Sequence, residues 1–455
     1  MGFVLSVLYF ITNYLTPTTI FGPLSVYRVE LILAVLVVFV SLLTLAGSLI
    51  WKTPQTLALA GLAFATFVSV AVGGHWIGGG QSALLSFIPS AFAYFFVCLH
   101  CNSKTKLQVL VLMMLFVCLF VIAQGSIELQ HGLTTSVDVH AVNMDNSYFI
   151  GMSNDAGQLF YRLRGMGEIH DPNDFAQLIA CVLPLVFIFW RPKKTFQNIA
   201  FVILPVCALL YGSYLTHSRG GMLALLAVAV VAARRRIGIL PALLLVGVLF
   251  VASMVLHFTG GRDISADAGE DRTALWGQSM QLLKSHPLFG VGFGNLPDYL
   301  GHTAHNTVMV CAAELGLFGL YFWSLFLFPT VRDALAIASS EKVSEGEPVV
   351  PEEVPFPAVS RKIEALDKAE INRLGQLMVL SFTGFLVAGW FLSRAFVTTL
   401  FLLGGMTEVI FEMALRRGMI SSRLPFARVL RNSGILAILL LLMMYIMLRI
   451  VNLTH

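Results

Sequence analysis

The chain has 455 residues, of which 57% are hydrophobic and only 12% are charged, and its mean hydropathy is +0.82. Soluble domains carry about 25% charged residues, so this composition excludes an ordinary soluble protein. The net charge of +4 says little as a sum, because the position of each charge decides what it does. Apolar runs of about twenty residues recur along the whole length, which is typical of membrane-spanning helices. We therefore predict an all-α polytopic membrane protein, with residues 1–455 forming a single integral membrane domain.

The first apolar run, Phe3 to Leu15, lacks a basic leader and a small-residue cleavage site, so we expect a retained segment. Longer apolar segments follow at 29–51, 54–73, 82–100, 107–124, 173–190, 196–216, 220–233, 237–257, 305–330, 374–392, 395–415 and 433–450. Because the first run is short for a bilayer crossing, the sequence predicts 12–13 transmembrane helices.

Lysine and arginine predict the orientation, because they concentrate in cytoplasmic connections. Connections that fall on one side when the segments alternate hold 20 of the 29 basic residues. We assign that side to the cytoplasm. It includes 331–373, whose many Glu and Pro residues predict a flexible cytoplasmic loop. The opposite face receives two larger periplasmic loops, 125–172 and 258–304. Within the second, Asp271 to Lys284 reads as an amphipathic helix at the outer membrane boundary. Its apolar face would comprise Trp276, Met280 and Leu283.

The six cysteines lie mostly inside apolar runs, so they imply no disulfide framework. Cys98 and Cys101 form C-L-H-C, but no second ligand pair accompanies them elsewhere in the sequence. We interpret both as core residues at a helix end and predict no metal site.

Several arginines lie on the predicted outer face, near the mouths of helices. Arg219 is the clearest, in T-H-S-R-G-G-M at the junction of two apolar runs, where Gly220 and Gly221 would permit close approach of a backbone or ligand. The arginine fork matches phosphate oxygens in pairs. Each arginine alone could equally snorkel or pair with lipid headgroups. The combination of Arg219, Arg272 and His305 favours a site for a lipid-linked diphosphate.

His305 and Asn306 stand where the second outer loop re-enters an apolar segment. A histidine at the start of a helix, near arginines, is expected to stay neutral and able to accept a proton. On the same helix, Gly316 and Gly319 would let a neighbouring helix pack closely, and the ionisable Glu314 is expected to pair with a donor in the bundle.

The first outer loop ends in Y-R-L-R-G-M-G-E-I-H-D-P-N-D-F-A. Asp171, Pro172 and Asn173 read as a helix start, since Asp and Asn cap helices and Pro favours the first turn. A second role for Asp171 and Asn173 remains open, because together with Arg164 they would face the same side as His305.

The motif H-N, nine residues, G, two residues, G resembles the signature of the bacterial O-antigen ligase family. Other motifs are similar in order and spacing to those of the wider O-antigen ligase and polymerase superfamily. They are, in chain order, R-L-R-G-x-G with D-P-N-D-F-A, then S-R-G-G, then D-R-T-A-L-W followed by H-P-L-F-G-V-G-F-G. The resemblance covers about residues 160–325.

The resemblance implies a metal-independent, inverting glycosyltransferase with a GT-C-like helical bundle and no cofactor. It implies a donor glycan on undecaprenyl diphosphate at the periplasmic face of the bacterial inner membrane, and an acceptor hydroxyl of lipid A-core, as in lipopolysaccharide biosynthesis. His305 matches the histidine proposed to activate the acceptor, and Arg219, Arg272 and Arg164 match arginines thought to hold the diphosphate. Asn306, Glu314, Asp171 and Asn173 are candidates for supporting roles.

Other functions stay open. A polymerase would use a growing glycan or exopolysaccharide as acceptor, and a protein O-oligosaccharyltransferase would use a protein. A different class, an anion transporter for inorganic carbon, requires ionisable groups or broken helices near the midplane and often internal repeats. Besides the glycan substrates, we expect only membrane lipids as partners, and no nucleic acid.

Overall fold

The structure is a computed structural model that describes residues 1–17, 29–45, 49–73, 76–130, 147–153, 159–256, 258, 267–340 and 366–454. Most of these residues are helical. The helices are α1 Gly2–Leu15, α2 Val29–Leu42, α3 Pro54–Gly73, α4 Ile77–His100, α5 Lys104–Gln130, α6 Pro172–Val186, α7 Thr195–Asn198, α8 Leu204–Thr216, α9 Arg219–Ile237, α10 Ile239–Val255, α11 Asp267–Ser285, α12 Leu296–Leu300, α13 Thr307–Ser339, α14 Lys368–Gly389, α15 Thr398–Arg416 and α16 Phe426–Thr454.

Each predicted apolar run contains a helix. Within the described part of the chain, nine helical spans are long and apolar enough to cross a membrane, and α1, α2 and α10 are shorter apolar helices. α9 spans 19 residues and carries three arginines in its last turn. The prediction of an all-α polytopic membrane protein is confirmed, and the 12–13 predicted segments correspond to helices of unequal length.

The first outer loop contains secondary structure that the sequence analysis did not predict. Strands β1 Phe149–Ser153 and β2 Leu159–Leu163 pair in antiparallel register, with Phe149 opposite Leu163. Leu163 packs against α5 at Gly125, where an added Cβ would lie 2.3 Å from Leu163 Cδ1. Because each strand has only five residues, its alternation was too short to recognise.

The chain divides into two compact units. The first comprises Met1–Leu43, Ser103–Asp263 and Leu377–Ala388, and the second comprises Thr44–Asn102, Ile264–Gln376 and Gly389–His455. The single integral membrane domain over residues 1–455 stays a prediction. In the first unit, Gln177 on α6 donates to the carbonyl of Phe385 at 3.0 Å, which ties α6 to α14. The core of the second unit is aromatic: Tyr94, Phe326 and Phe401 make edge-to-face contacts, and all three are fully buried.

Helix α13 is discontinuous. At Gly316 the backbone has φ 67° and ψ −167°, outside the helical region. The segment 287–292 fills the break. Its amides at Val291 and Gly292 donate to the carbonyls of Ala313 and Glu314 at 2.9 and 3.0 Å. On the other side of the break, the amides of Leu317 and Phe318 donate to the carbonyls of Pro287 and Leu288 at 2.8 and 3.2 Å. Inside a membrane such main-chain pairing is required of any interrupted helix.

The break corrects one expectation about α13. Gly316 and Gly319 were expected to admit a neighbouring helix. A Cβ built on Gly316 would instead lie 2.3 Å from the carbonyl oxygen of Leu288, which belongs to a turn and not to a helix. The atoms nearest to Gly319 are those of Leu315, one turn earlier on α13 itself. The glycines therefore accommodate the inserted segment and the kink.

The segment that was predicted to form an amphipathic helix in the second outer loop lies within α11. Trp276, Met280 and Leu283 are 5%, 9% and 6% exposed. The protein itself covers this apolar face: the Trp276 indole donates to the carbonyl of Ala304 at 2.8 Å and contacts the Trp390 ring edge-on. Its position at the membrane boundary stays a prediction.

The predicted cytoplasmic loop 331–373 is shorter than expected at both ends. Helix α13 continues to Ser339, and α14 begins at Lys368. Residues 341–365, which carry most of its Glu and Pro, lie outside the described residues.

Candidate functional site

The D-P-N-D motif starts α6, as the sequence predicted. Asp171 is the N-cap, and its carboxylate accepts the main-chain amide of Asn173 at 2.7 Å, while Pro172 occupies the first turn. An N-cap carboxylate satisfies an amide that has no partner within the helix. The capping role of Asp171 is therefore confirmed.

The side chain of Asn173 joins three chain segments of the first unit. Its Oδ1 accepts from Nη2 of Arg162 on β2 and from Oγ of Ser218 before α9, each at 2.8 Å. Arg162 Nε also donates to the carbonyl of Thr216 at 2.9 Å, and this side chain is only 4% exposed. The motifs R-L-R-G, D-P-N-D and S-R-G-G therefore meet in one buried hydrogen-bonded network.

This network fixes the start of α9, where Arg219 is the first residue. Ser218 caps the helix by accepting the amide of Gly221 at 3.1 Å. Arg219 is half-buried. The positive end of the helix dipole adds to its guanidinium charge, so this position favours an anion. A Cβ on Gly221 would lie 2.5 Å from that of Ala176 on α6. This glycine thus serves close packing of α9 on α6, and not the approach of a ligand, which the sequence analysis had left open.

Arg164 bonds the chain just before β1. It is half-buried, its Nε donates to the carbonyl of Ser147 at 3.1 Å, and its amide donates to the carbonyl of Tyr148 at 2.9 Å. Burial and the neighbouring Glu128 carboxylate raise the pKa of Tyr148. Of the two arginines in R-L-R-G, Arg162 is the buried structural one, which the sequence analysis did not single out. The only signal was its position on the predicted outer face.

In the second unit, Asn306 caps α13 and is fully buried. Its Oδ1 accepts the amide of Met309 at 3.0 Å, and its Nδ2 donates to the carbonyl of Trp390 at 3.0 Å. Removing such a cap costs about 1 kcal/mol. Asn306 therefore supports this helix start by capping it and by donating a hydrogen bond to the chain that follows α14.

His305 directly precedes this cap and is half-buried. It was expected to begin the helix, but α13 begins at Thr307. The backbone of His305 has φ 48°, in the left-handed region, and its amide donates to Oγ of Ser393 at 3.0 Å. Left-handed backbone is uncommon for residues other than glycine and clusters at functional sites.

The segment 390–394 contacts this helix start at further points. Thr307 Oγ1 donates to the carbonyl of Leu392 at 2.8 Å and accepts the amide of Arg394 at 3.2 Å. The Trp390 ring makes an edge-to-face contact with the Trp276 ring. Neither Arg394 nor Ser393 was singled out from the sequence as a candidate site residue.

Glu314 lies on α13, two residues before the break, and is 5% exposed. The main-chain amides of Gly294 and Leu296 lie near its carboxylate. Both amides belong to the chain that follows the inserted segment, and the pairing of Glu314 with a donor stays a prediction. Arg272, the remaining predicted site residue, is half-buried on α11, one turn before Trp276.

The predicted site residues are divided between the two units. Arg164, Asp171, Asn173 and Arg219 belong to the first, where Asn173 and the Ser218 cap link the starts of α6 and α9. Arg272, His305, Asn306 and Glu314 belong to the second, where the last three lie on or beside α13.

Comparison with known proteins finds a family similarity in the central part of the chain. A search of curated proteins found no match. Residues 204–324 match the family model described as O-antigen ligase, and this segment contains Arg219, Arg272, His305 and the Gly316 break. The match covers 121 of the 455 residues and shows that this part of the chain is similar to the O-antigen ligase family.

Proposed function

We propose that this protein transfers a glycan from undecaprenyl diphosphate to an acceptor hydroxyl at the periplasmic face of the bacterial inner membrane. The acceptor we favour is lipid A-core, as for an O-antigen ligase. The observation that carries the proposal is His305: a half-buried histidine, in left-handed backbone beside the Asn306 cap, within the segment that matches the O-antigen ligase family model.

In the proposed reaction His305 is the general base. Its imidazole takes the proton of the acceptor hydroxyl as that oxygen attacks the anomeric carbon of the donor glycan. The bond between this carbon and the diphosphate oxygen breaks, and the diphosphate leaves with the electron pair. A single displacement of this kind inverts the anomeric centre.

Arginines would stabilise the diphosphate as its charge develops. Arg219 is the best supported of them, because it is half-buried at the positive end of α9 and its cap belongs to a buried network. Arg272 is half-buried on α11. Arg164 is a weaker candidate, since part of its guanidinium bonds the carbonyl of Ser147.

An anion transporter is the second candidate, and the discontinuous helix α13 with its buried Glu314 is the observation in its favour. One fact weighs against it: the segment 287–292 pairs amides and carbonyls on both sides of the break. An ion would have to displace these bonds.

The test is transfer from purified undecaprenyl-diphosphate glycan by the purified protein, with anion uptake measured in vesicles of the same preparation. Product attached once to lipid A-core supports the ligase, a ladder of lengthened glycan on the carrier supports the polymerase, and glycan on a protein supports the oligosaccharyltransferase. Uptake without transfer to any acceptor would overturn the proposal.

A further inference from the structure

The backbone of His305 is held in an unfavourable conformation from outside its own loop. Its φ of 48° costs free energy for any residue with a Cβ, so such a conformation persists only where the surroundings impose it. On its C-terminal side, Asn306 fixes the chain through hydrogen bonds to Met309 and Trp390. The main-chain amide of His305 itself donates to Ser393 Oγ at 3.0 Å.

Ser393 is itself placed firmly. Its neighbours on both sides, Leu392 and Arg394, share the hydroxyl of Thr307, one as acceptor and the other as donor. The carbonyl of Ala395 accepts the indole N–H of the buried Trp323 at 3.0 Å. The segment 390–395 is thus bonded to α13 at successive residues, and it presents one hydroxyl to the amide of His305.

We propose that Ser393 is a positioning residue for His305. Its hydroxyl holds the histidine main chain in the left-handed conformation, and that conformation aims the imidazole at the acceptor hydroxyl. This inference rests on the proposed function, because it assigns Ser393 a role in the same transfer. The role is indirect: Ser393 sets the geometry of the base and exchanges no proton with the acceptor.

The test is steady-state transfer by the full chain carrying Ser393→Ala or Ser393→Thr. Loss of the hydroxyl should lower kcat by about 10- to 100-fold with an unchanged KM for the donor, because small misplacements of a reacting group have effects of this size. Threonine keeps the oxygen and should restore most of the rate. Ser324→Ala is the matched control: Ser324 lies buried on α13, and its hydroxyl has no hydrogen-bond partner among the described residues.

The His305→Ala background separates a positioning role from a general structural one. If Ser393 acts through His305, adding Ser393→Ala to His305→Ala should cause no further loss of rate. Two results would overturn the inference while the proposed function stands. One is that Ser393→Ala lowers the rate as much in the His305→Ala background as in the parent. The other is that Ser393→Ala has the parental kcat although His305→Ala is inactive.

A readout without turnover keeps the inference testable if the parent transfers no glycan and the proposed function fails. Modification of His305 by diethyl pyrocarbonate, measured by mass spectrometry relative to exposed His302 in the same molecules, reports how firmly the imidazole is held. Ser393→Ala should raise the rate at His305, and Ser324→Ala should leave it unchanged. Equal rates in both variants would show that Ser393 does not hold His305.

Discussion

Asn173 and Ser218 are joined by a hydrogen bond of 2.8 Å that connects the starts of α6 and α9. The same Asn173 oxygen accepts from Arg162. Two segments that look like separate motifs in the sequence are therefore one structural element, and the position of Arg219 depends on it.

Replacing Asn173 should expose this dependence. Asn173→Ala removes the acceptor of two donors in a buried network, so we expect the free energy of unfolding to fall by about 1–3 kcal/mol. Asn173→Asp retains an acceptor oxygen for both donors and should lose less. Thermal unfolding in detergent measures both variants, and equal losses would show that the hydrogen bonds do not govern the stability of this region.

Gly316 is expected to tolerate no side chain. Gly316→Ala combines left-handed backbone with a Cβ 2.3 Å from the Leu288 carbonyl oxygen. Gly418→Ala is the control, because Gly418 has the same φ of 67° and no atom within 4 Å of its added Cβ. The control should cost about 1–2 kcal/mol. Gly316→Ala should lower the stability clearly more than the control does, or prevent folding, and the yield of monodisperse protein measures this. Equal losses of stability in the two variants would mean that the inserted segment moves aside freely.

The buried face of α11 should stabilise the second unit. Trp276→Ala should cost about 3–5 kcal/mol through lost packing. Trp276→Phe retains most of the ring and should cost about 1 kcal/mol for the hydrogen bond to Ala304. Gln278→Ala, on the exposed side of the same helix, should change stability by less than about 0.5 kcal/mol. Chemical unfolding distinguishes them, and a Trp276→Ala variant as stable as Gln278→Ala would contradict the packing seen here.

Glu314 separates the two candidate functions. Glu314→Gln keeps an oxygen beside the amides of Gly294 and Leu296, so transfer should persist near the parental rate. Glu314→Ala removes this buried polar group and should destabilise the protein. If Glu314→Gln instead abolishes anion uptake in vesicles, with no transfer detectable in the parent, the carboxylate serves transport.

Local chemistry in the sequence predicted some of these features and missed others for physical reasons. The cap at Asp171 follows from residue type, and the shared face of Trp276, Met280 and Leu283 follows from periodicity. The burial of that face against the protein was not predicted, because periodicity does not tell what covers an apolar face. The break at Gly316 was missed because the pattern stays apolar through it and glycine is common in transmembrane helices. The bond between His305 and Ser393 was missed because it joins residues 88 positions apart, and no local pattern encodes such a contact.

The most direct test of the account is glycan transfer by His305→Ala beside His302→Ala. His302 is an exposed histidine three residues earlier in the same loop, so its loss changes the composition of the loop in the same way. With purified undecaprenyl-diphosphate glycan as donor, His302→Ala should transfer at the parental rate. His305→Ala should lose about 100- to 10,000-fold in kcat, the range that a general base contributes, while remaining folded. A folded His305→Ala variant that transfers as fast as the parent would contradict the assignment of His305 as the base.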